Sequence, residues 1–264
     1  MENTELISSF EKLYGTIKTL RKKCPWDSVQ TPQTIRTLTI EEVYELSEAI
    51  LNNKTTDFKK ELGDVLLHII LYAVMNEEKG NFSLKDVFEA LNEKLIFRHP
   101  HIFSDRKAET PEEVSKMWEE VKLKEKNGNK TVLGGIPKSL PSIIKAYRIS
   151  DKASSSGFDW QEKSEVWKKV KEEINEFEEE VKNQDKDKMQ DEFGDVLFAM
   201  INAGRLFGVN ADTALEKTNQ KFTYRFNYIE QKAKEQGKPL KTLTLEEMEE
   251  LWNEAKQTEK QNKQ

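Results

Sequence analysis

Cysteine is almost missing from this 264-residue chain. Cys24 stands alone, so no internal disulfide can form, and the expected setting is a reducing cytoplasm. Histidine is nearly as scarce: His68, His99 and His101 are the only three. None stands three residues after a glutamate, which disfavours the Glu-x-x-His di-iron bundle. No run of about 18 apolar residues occurs, so no membrane-spanning helix is expected. The start, Met1-Glu2-Asn3-Thr4-Glu5, lacks the basic and apolar regions of a signal peptide. Both glycine-rich phosphate-binding signatures are absent, so any phosphate must be recognised by metal and side chains. Positive charge is not in excess either. The net charge of −6 argues against binding nucleic acid through a global positive field, and no direct nucleic-acid binding is expected. A phosphate ligand stays open, because a divalent cation and local lysines can reverse the sign at one site. With only 11 Gly and 7 Pro beside abundant Glu and Lys, the chain reads as all-α.

What the chain does have is a repeated acidic pattern. Glu41-Glu42-Val43-Tyr44-Glu45 is followed by Glu61-Leu62-Gly63-Asp64, and the same acids recur in Glu172-Glu173-Ile174-Asn175-Glu176 and Glu192-Phe193-Gly194-Asp195. The offset is 131 at all five acidic positions. Residues three apart share a helix face, so Glu42 with Glu45 and Glu61 with Asp64 form two carboxylate pairs on successive helices. If those helices are antiparallel neighbours, four carboxylates converge and repel unless a cation holds them. Hard oxygen ligands suit Mg²⁺ or Mn²⁺. The plainer alternative is a solvated acidic face. Val65-Leu66-Leu67 and Val196-Leu197-Phe198 weigh against it, because they set the acids beside apolar runs.

The rest of the chain follows the same duplication. Helices are expected over about 5–22, from Pro32 through the first acids, and over about 57–78, 83–97 and 110–126. The second half repeats the plan with helices over about 138–153, through both acidic segments, over about 211–236, and after Thr244. Gly128-Asn129 and Gly134-Gly135-Ile136-Pro137 mark a linker over 128–137, leaving domains 1–127 and 138–264. Asn92-Glu93-Lys94-Leu95-Ile96-Phe97-Arg98 matches Asn219 to Arg225, and Trp118 with Lys122 matches Trp252 with Lys256. Each half therefore offers four carboxylates, a Lys/Arg pair and a Trp/Lys pair, a set suited to a nucleoside triphosphate. Core packing is an equal reading for Trp118 and Trp252. His68 has Ala199 as its counterpart and reads as a packed or tuning residue.

The halves differ around the acids. Lys169, Lys188, Asn202 and Arg205 extend the ligand face of the second half, where the first half has Leu38, Asp57, Leu71 and Val74. A polyanion needs donors, so the second half is expected to do most of the chemistry.

The duplicated acidic set resembles the MazG family of nucleoside triphosphate pyrophosphohydrolases, within an all-α superfamily that includes all-α dUTPases and dCTPases. Cys24-Pro25-Trp26-Asp27 with Gln30-Thr31, Arg98-His99-Pro100-His101-Ile102-Phe103, and Gly157-Phe158-Asp159-Trp160 are also similar to its two-domain form. The similarity covers about residues 8–258. It implies two tandem four-helix-type domains, dimerised through helices, and Mg²⁺-dependent hydrolysis of several NTPs to NMP and pyrophosphate. By that resemblance Glu173, Glu176, Glu192 and Asp195 ligate Mg²⁺, with Glu42, Glu45, Glu61 and Asp64 the corresponding set. Glu172 orients the attacking water or binds a second metal. Lys221, Arg225 and Lys256 counter triphosphate charge, and Trp252 packs near the nucleoside. A reading of a different class is a sensor or scaffold that binds metal and nucleotide without turnover.

Overall fold

The computed structural model describes residues 2–124 and 131–261, and among them every regular element is a helix. The described residues form two compact units, Met1–Lys107 and Ala108–Gln264. No helix is long and apolar enough to cross a membrane. The expected helix end at Glu125-Lys126 and the Gly128-Asn129 part of the linker lie outside the described residues.

The first unit is built from α1 (Glu2–Lys23), α2 (Pro32–Leu51), α3 (Thr55–Glu77), α4 (Leu84–Arg98) and the short α5 (Pro100–Phe103). Its boundaries follow local chemistry. Thr31 caps α2 in a reciprocal hydrogen-bonded box with Thr34, and Pro32 occupies the first turn, where its missing N–H is not needed. Ser83 and Asp86 do the same for α4. Pro100 stops α4 at Arg98 and opens α5. The α2–α3 reversal runs through Asn52, Asn53 and Lys54, with Asn53 left-handed at φ 52°, a conformation asparagine tolerates. The core joins Ile17 of α1, Ile35 of α2, Ile70, Leu71 and Met75 of α3, and Leu84 of α4. Ile35 is fully buried, and truncating such a residue to alanine removes about 2–5 kcal/mol. Arg21 anchors the segment after α1: its guanidinium donates to the carbonyls of Asp27 and Gln30 and to the Glu78 carboxylate.

The second unit contains α6 (Pro111–Lys124), α7 (Ser142–Ser155), α8 (Val166–Asn183), α9 (Lys186–Leu206), α10 (Ala211–Glu235) and α11 (Leu245–Gln261). Within it α8 packs on α9, α7 on α9, α6 on α7 and α10 on α11. The expected helix from 138 begins only at Ser142. Pro141 holds an extended ψ of 142°, and a proline disfavours helical geometry in the residue before it. Gln184, left-handed at φ 58°, and Asp185, whose side chain accepts from the Lys188 N–H, reverse the chain between α8 and α9. So short a connection makes them antiparallel neighbours. Two apolar clusters form: Val166, Val170, Ala199 and Ala203 between α8 and α9, and Ile229, Ala233 and Leu243 beneath α11.

Candidate active site

Each antiparallel pair brings its acids together. In the second unit, Glu173 and Glu176 of α8 and Glu192 of α9 place carboxylate oxygens within 4.8 Å of one another. Glu173 is buried, Glu192 half-buried and Glu176 exposed. Asp195, one turn beyond Glu192, faces the adjoining cavity. Lys169 reaches into this group, with Nζ 2.6 Å from Glu172 and 2.7 Å from Glu173. Those two hydrogen bonds, to Glu172 and then Glu173, raise its pKa above the usual lysine value. Desolvation, and next its hydrogen bond with Glu173, push the Glu176 carboxyl up. A crowded set of carboxylates with one ammonium is short of positive charge.

The first unit repeats the arrangement with Glu42, Glu45 and Glu61 within the same 4.8 Å limit. Burial, then the charges of Asp64 and Glu45, raise the Glu42 pKa. Glu61 is 7% exposed, and its Oε2 has no hydrogen-bond partner. Lys60 bridges Glu61 at 2.9 Å and Asp64 at 3.5 Å from the outside. His68 is buried with Nδ1 unpartnered, and it does not join the carboxylate group. An all-oxygen donor set with an orphaned buried carboxylate oxygen fits a hard divalent cation, and both sets could hold one.

Beside the second set lies a cavity of about 730 Å³, within the range of small-molecule sites. α7, the Gly157–Trp160 segment, α8 and α9 enclose it. Lys169, Glu173, Asp195 and Asn202 face it at positions that the sequence singled out. Asp159 locks the segment in place. It accepts from Ser154 Oγ at 2.6 Å, Arg205 Nη2 at 2.7 Å and the Trp160 N–H at 2.9 Å. Burial works to raise its pKa, but the hydrogen bonds from Arg205, Ser154 and Trp160 outweigh it and hold the carboxyl below its ordinary value. Arg205, expected as a ligand donor, is committed to Asp159 and to Asn202 Oδ1.

The other expected substrate groups lie elsewhere in this unit. Lys188 Nζ is 3.8 Å from Glu180. Arg225 pairs with Glu259 at 2.9 Å and lies over the Trp252 ring at 5.3 Å, while Phe222 meets that ring at 5.1 Å. Lys221 and Lys256 are exposed on α10 and α11. None of these five lines the cavity. Ser150, Phe158 and Trp160 do line it, and no pattern of charge marked them; only the Gly157–Trp160 segment drew attention.

The known family of nucleotide pyrophosphohydrolase domains called MazG matches residues 30–103 and 161–229. The two segments carry both carboxylate sets and cover more than half of the chain. The chain belongs to the MazG family. Its MazG relatives extend beyond the matched segments. A nucleoside triphosphate pyrophosphohydrolase of Escherichia coli is 40% identical over 240 residues, 89% of this chain and 91% of that protein. The nucleoside triphosphate pyrophosphohydrolase/pyrophosphatase MazG of Thermotoga maritima is 39% identical, over 94% of this chain and 95% of its own length. YabN of Bacillus subtilis, an uncharacterized protein, is 42% identical over 99% of this chain, which spans 54% of it. In MazG terms, both described units of this chain contain the acidic helix pair, and the cavity adjoins the second.

Proposed function

We propose that this protein hydrolyses nucleoside triphosphates to nucleoside monophosphate and pyrophosphate, using Mg²⁺ or Mn²⁺, with a broad nucleotide range. Membership of the MazG family and the names of its full-length relatives support triphosphate pyrophosphohydrolysis. Glu173, Glu176, Glu192 and Asp195 are the proposed ligands; a divalent cation bound there would neutralise phosphate charge and acidify the attacking water. Lys169 holds the Glu172 carboxylate in place at 2.6 Å, and the proposed role of Glu172 is to orient the attacking water or to bind a second metal. Lys169 and Asn202 line the cavity and are placed to donate to the substrate, and the proposed role of Lys188, Lys221, Arg225 and Lys256 is to meet the triphosphate.

We further propose that the second unit does most of the work, and one observation carries this. Lys169 and Asn202 line the cavity, whereas their counterparts Leu38 and Leu71 belong to the packed core of the first unit. The test is a pair of variants, Glu45→Gln and Glu176→Gln, assayed for pyrophosphate release from each NTP. Loss of a ligand at the working site should cost at least about 100-fold in kcat. Near-full activity in Glu176→Gln together with its loss in Glu45→Gln reverses the assignment. Exposed Ile174, Phe193, Leu197 and Met200 on the acidic pair support a homodimer closed over that face. Sedimentation equilibrium should give twice the chain mass.

A further inference from the structure

The cavity contains more than a triphosphate requires. Only one end carries Lys169, Glu173 and Asp195; much of the remaining wall is apolar, with Ile149, Phe158, Trp160, Val166 and Phe198. A polyphosphate gains nothing from such a wall, whereas a flat heteroaromatic ring does. Three polar residues interrupt it, of which Asp159 is taken up by its own hydrogen bonds, leaving Ser150 and Asn202. Ser150 is 6% exposed, and its Oγ is buried without a hydrogen-bond partner. A buried orphan of this kind calls for a partner from outside the protein. Asn202 is held in one orientation: Arg205 Nε donates to its Oδ1 at 3.0 Å, and Asp159 fixes Arg205. The amide oxygen is thus engaged and the NH₂ group is left to donate.

We propose that this cavity receives the nucleobase of the substrate, and that Ser150 and Asn202 read the edge of the ring and set which nucleotides are favoured. The inference rests on the triphosphate reading above. Asn202 then addresses the base, not phosphate or sugar as the sequence suggested. Its NH₂ donates to a carbonyl oxygen or unprotonated nitrogen, which each base presents at a different place on its edge, while the Ser150 hydroxyl can donate or accept. The first unit has no such pair at the matching positions. Leu71 stands in the core where the second unit has Asn202.

The experiment compares full-length wild-type protein with Ser150→Ala and Asn202→Leu in the presence of Mg²⁺. It measures kcat/KM for ATP, GTP, CTP and UTP, and the Ki of inorganic tripolyphosphate, which has no base. Each variant should lower kcat/KM for the best nucleotide by about tenfold, the effect of one lost hydrogen bond. The poorer nucleotides should lose less, so that the preference flattens, while the tripolyphosphate Ki stays within about twofold. Asn202→Asp, which keeps the volume and removes the donor, should shift the same ratio and guards against a folding defect in Asn202→Leu. An equal fall for all four nucleotides, a parallel rise in the tripolyphosphate Ki, or no change at all would overturn the proposal. So would a ratio that moves with Trp252→Ala and with neither cavity residue. If wild-type protein releases no pyrophosphate, the hydrolytic reading fails by itself. Calorimetric binding of the same four nucleotides to the same variants then decides the base reading by the same ratio.

Discussion

Arg205→Leu should loosen the wall of the cavity, and the structure sets the size of the effect. The guanidinium is 10% exposed and its partner Asp159 24% exposed. Removing one member of a buried ion pair costs about 3–5 kcal/mol, because the other charge stays desolvated. Asp159 keeps two donors, Ser154 Oγ and the Trp160 N–H, and retains some contact with water, so the lower end, about 3 kcal/mol, applies. For a unit of this size about 2–4 °C is lost per kcal/mol, which gives a fall of about 6–12 °C in the Tm of the second unit. The pH dependence has a definite sign. Asp159 has a folded pKa below its ordinary value of 3.8, so its stabilisation is present above that value and is lost as pH falls through the folded pKa. The deficit of Arg205→Leu should therefore be full at pH 7 and shrink in acid. Asn202 also loses the bond that orients it, so nucleotide preference should change with stability. Calorimetric melts from pH 7 down to about pH 3, with an NTP panel at pH 7, test both parts. A deficit under about 0.5 kcal/mol at pH 7, or one that is undiminished near pH 3, would refute the account of this ion pair.

Further outcomes follow from the acidic sets. Without metal, Glu176→Gln should melt higher than wild type at pH 8 while being inactive. Its carboxyl is held above the ordinary 4.5, so the ionised form opposes folding above that raised pKa and the gain fades as pH falls toward 4.5; a wild type more stable at pH 8 would contradict it. Mg²⁺ or Mn²⁺ should raise the Tm, by about 2.7 kcal/mol of added stability at a hundredfold excess over Kd. A response that survives both Glu61→Gln and Glu192→Gln rules the carboxylate sets out as its origin. Hydrolysis in ¹⁸O water should place the label in the monophosphate; label only in pyrophosphate moves the attack to the β-phosphorus.

The helices were legible because their signals are local. Thr31-Pro32, Ser83 and Thr244 announced helix starts, and the structure uses each as a cap. The carboxylate groups were legible because spacing along a helix and a short reversal determine them almost alone. The start of α7 was not, since Pro141 acts through the geometry of the residue before it. The cavity was not either. Ser150, Phe158 and Trp160 meet Asn202 only after α7 packs on α9, and no periodicity within one segment records that. Nor could the sequence reveal that Arg205 is already committed. Its partner Asp159 lies 46 positions away, and a free and a paired arginine are the same letter.

The filled core of the first unit bears on whether the second unit's cavity could be built there. Leu71 is 4% exposed among Ile35, Ile70 and Met75. Returning an asparagine there would forfeit about 2–5 kcal/mol of packing and strand an amide at about 1–3 kcal/mol more. A lysine at Leu38 would add a charge against the same core. A domain stable by about 5–15 kcal/mol could bear one such change but hardly both, and neither alone makes a binding site. Substitution by substitution, the packing of Leu71 and Leu38 therefore resists conversion of the first helix pair into a copy of the second.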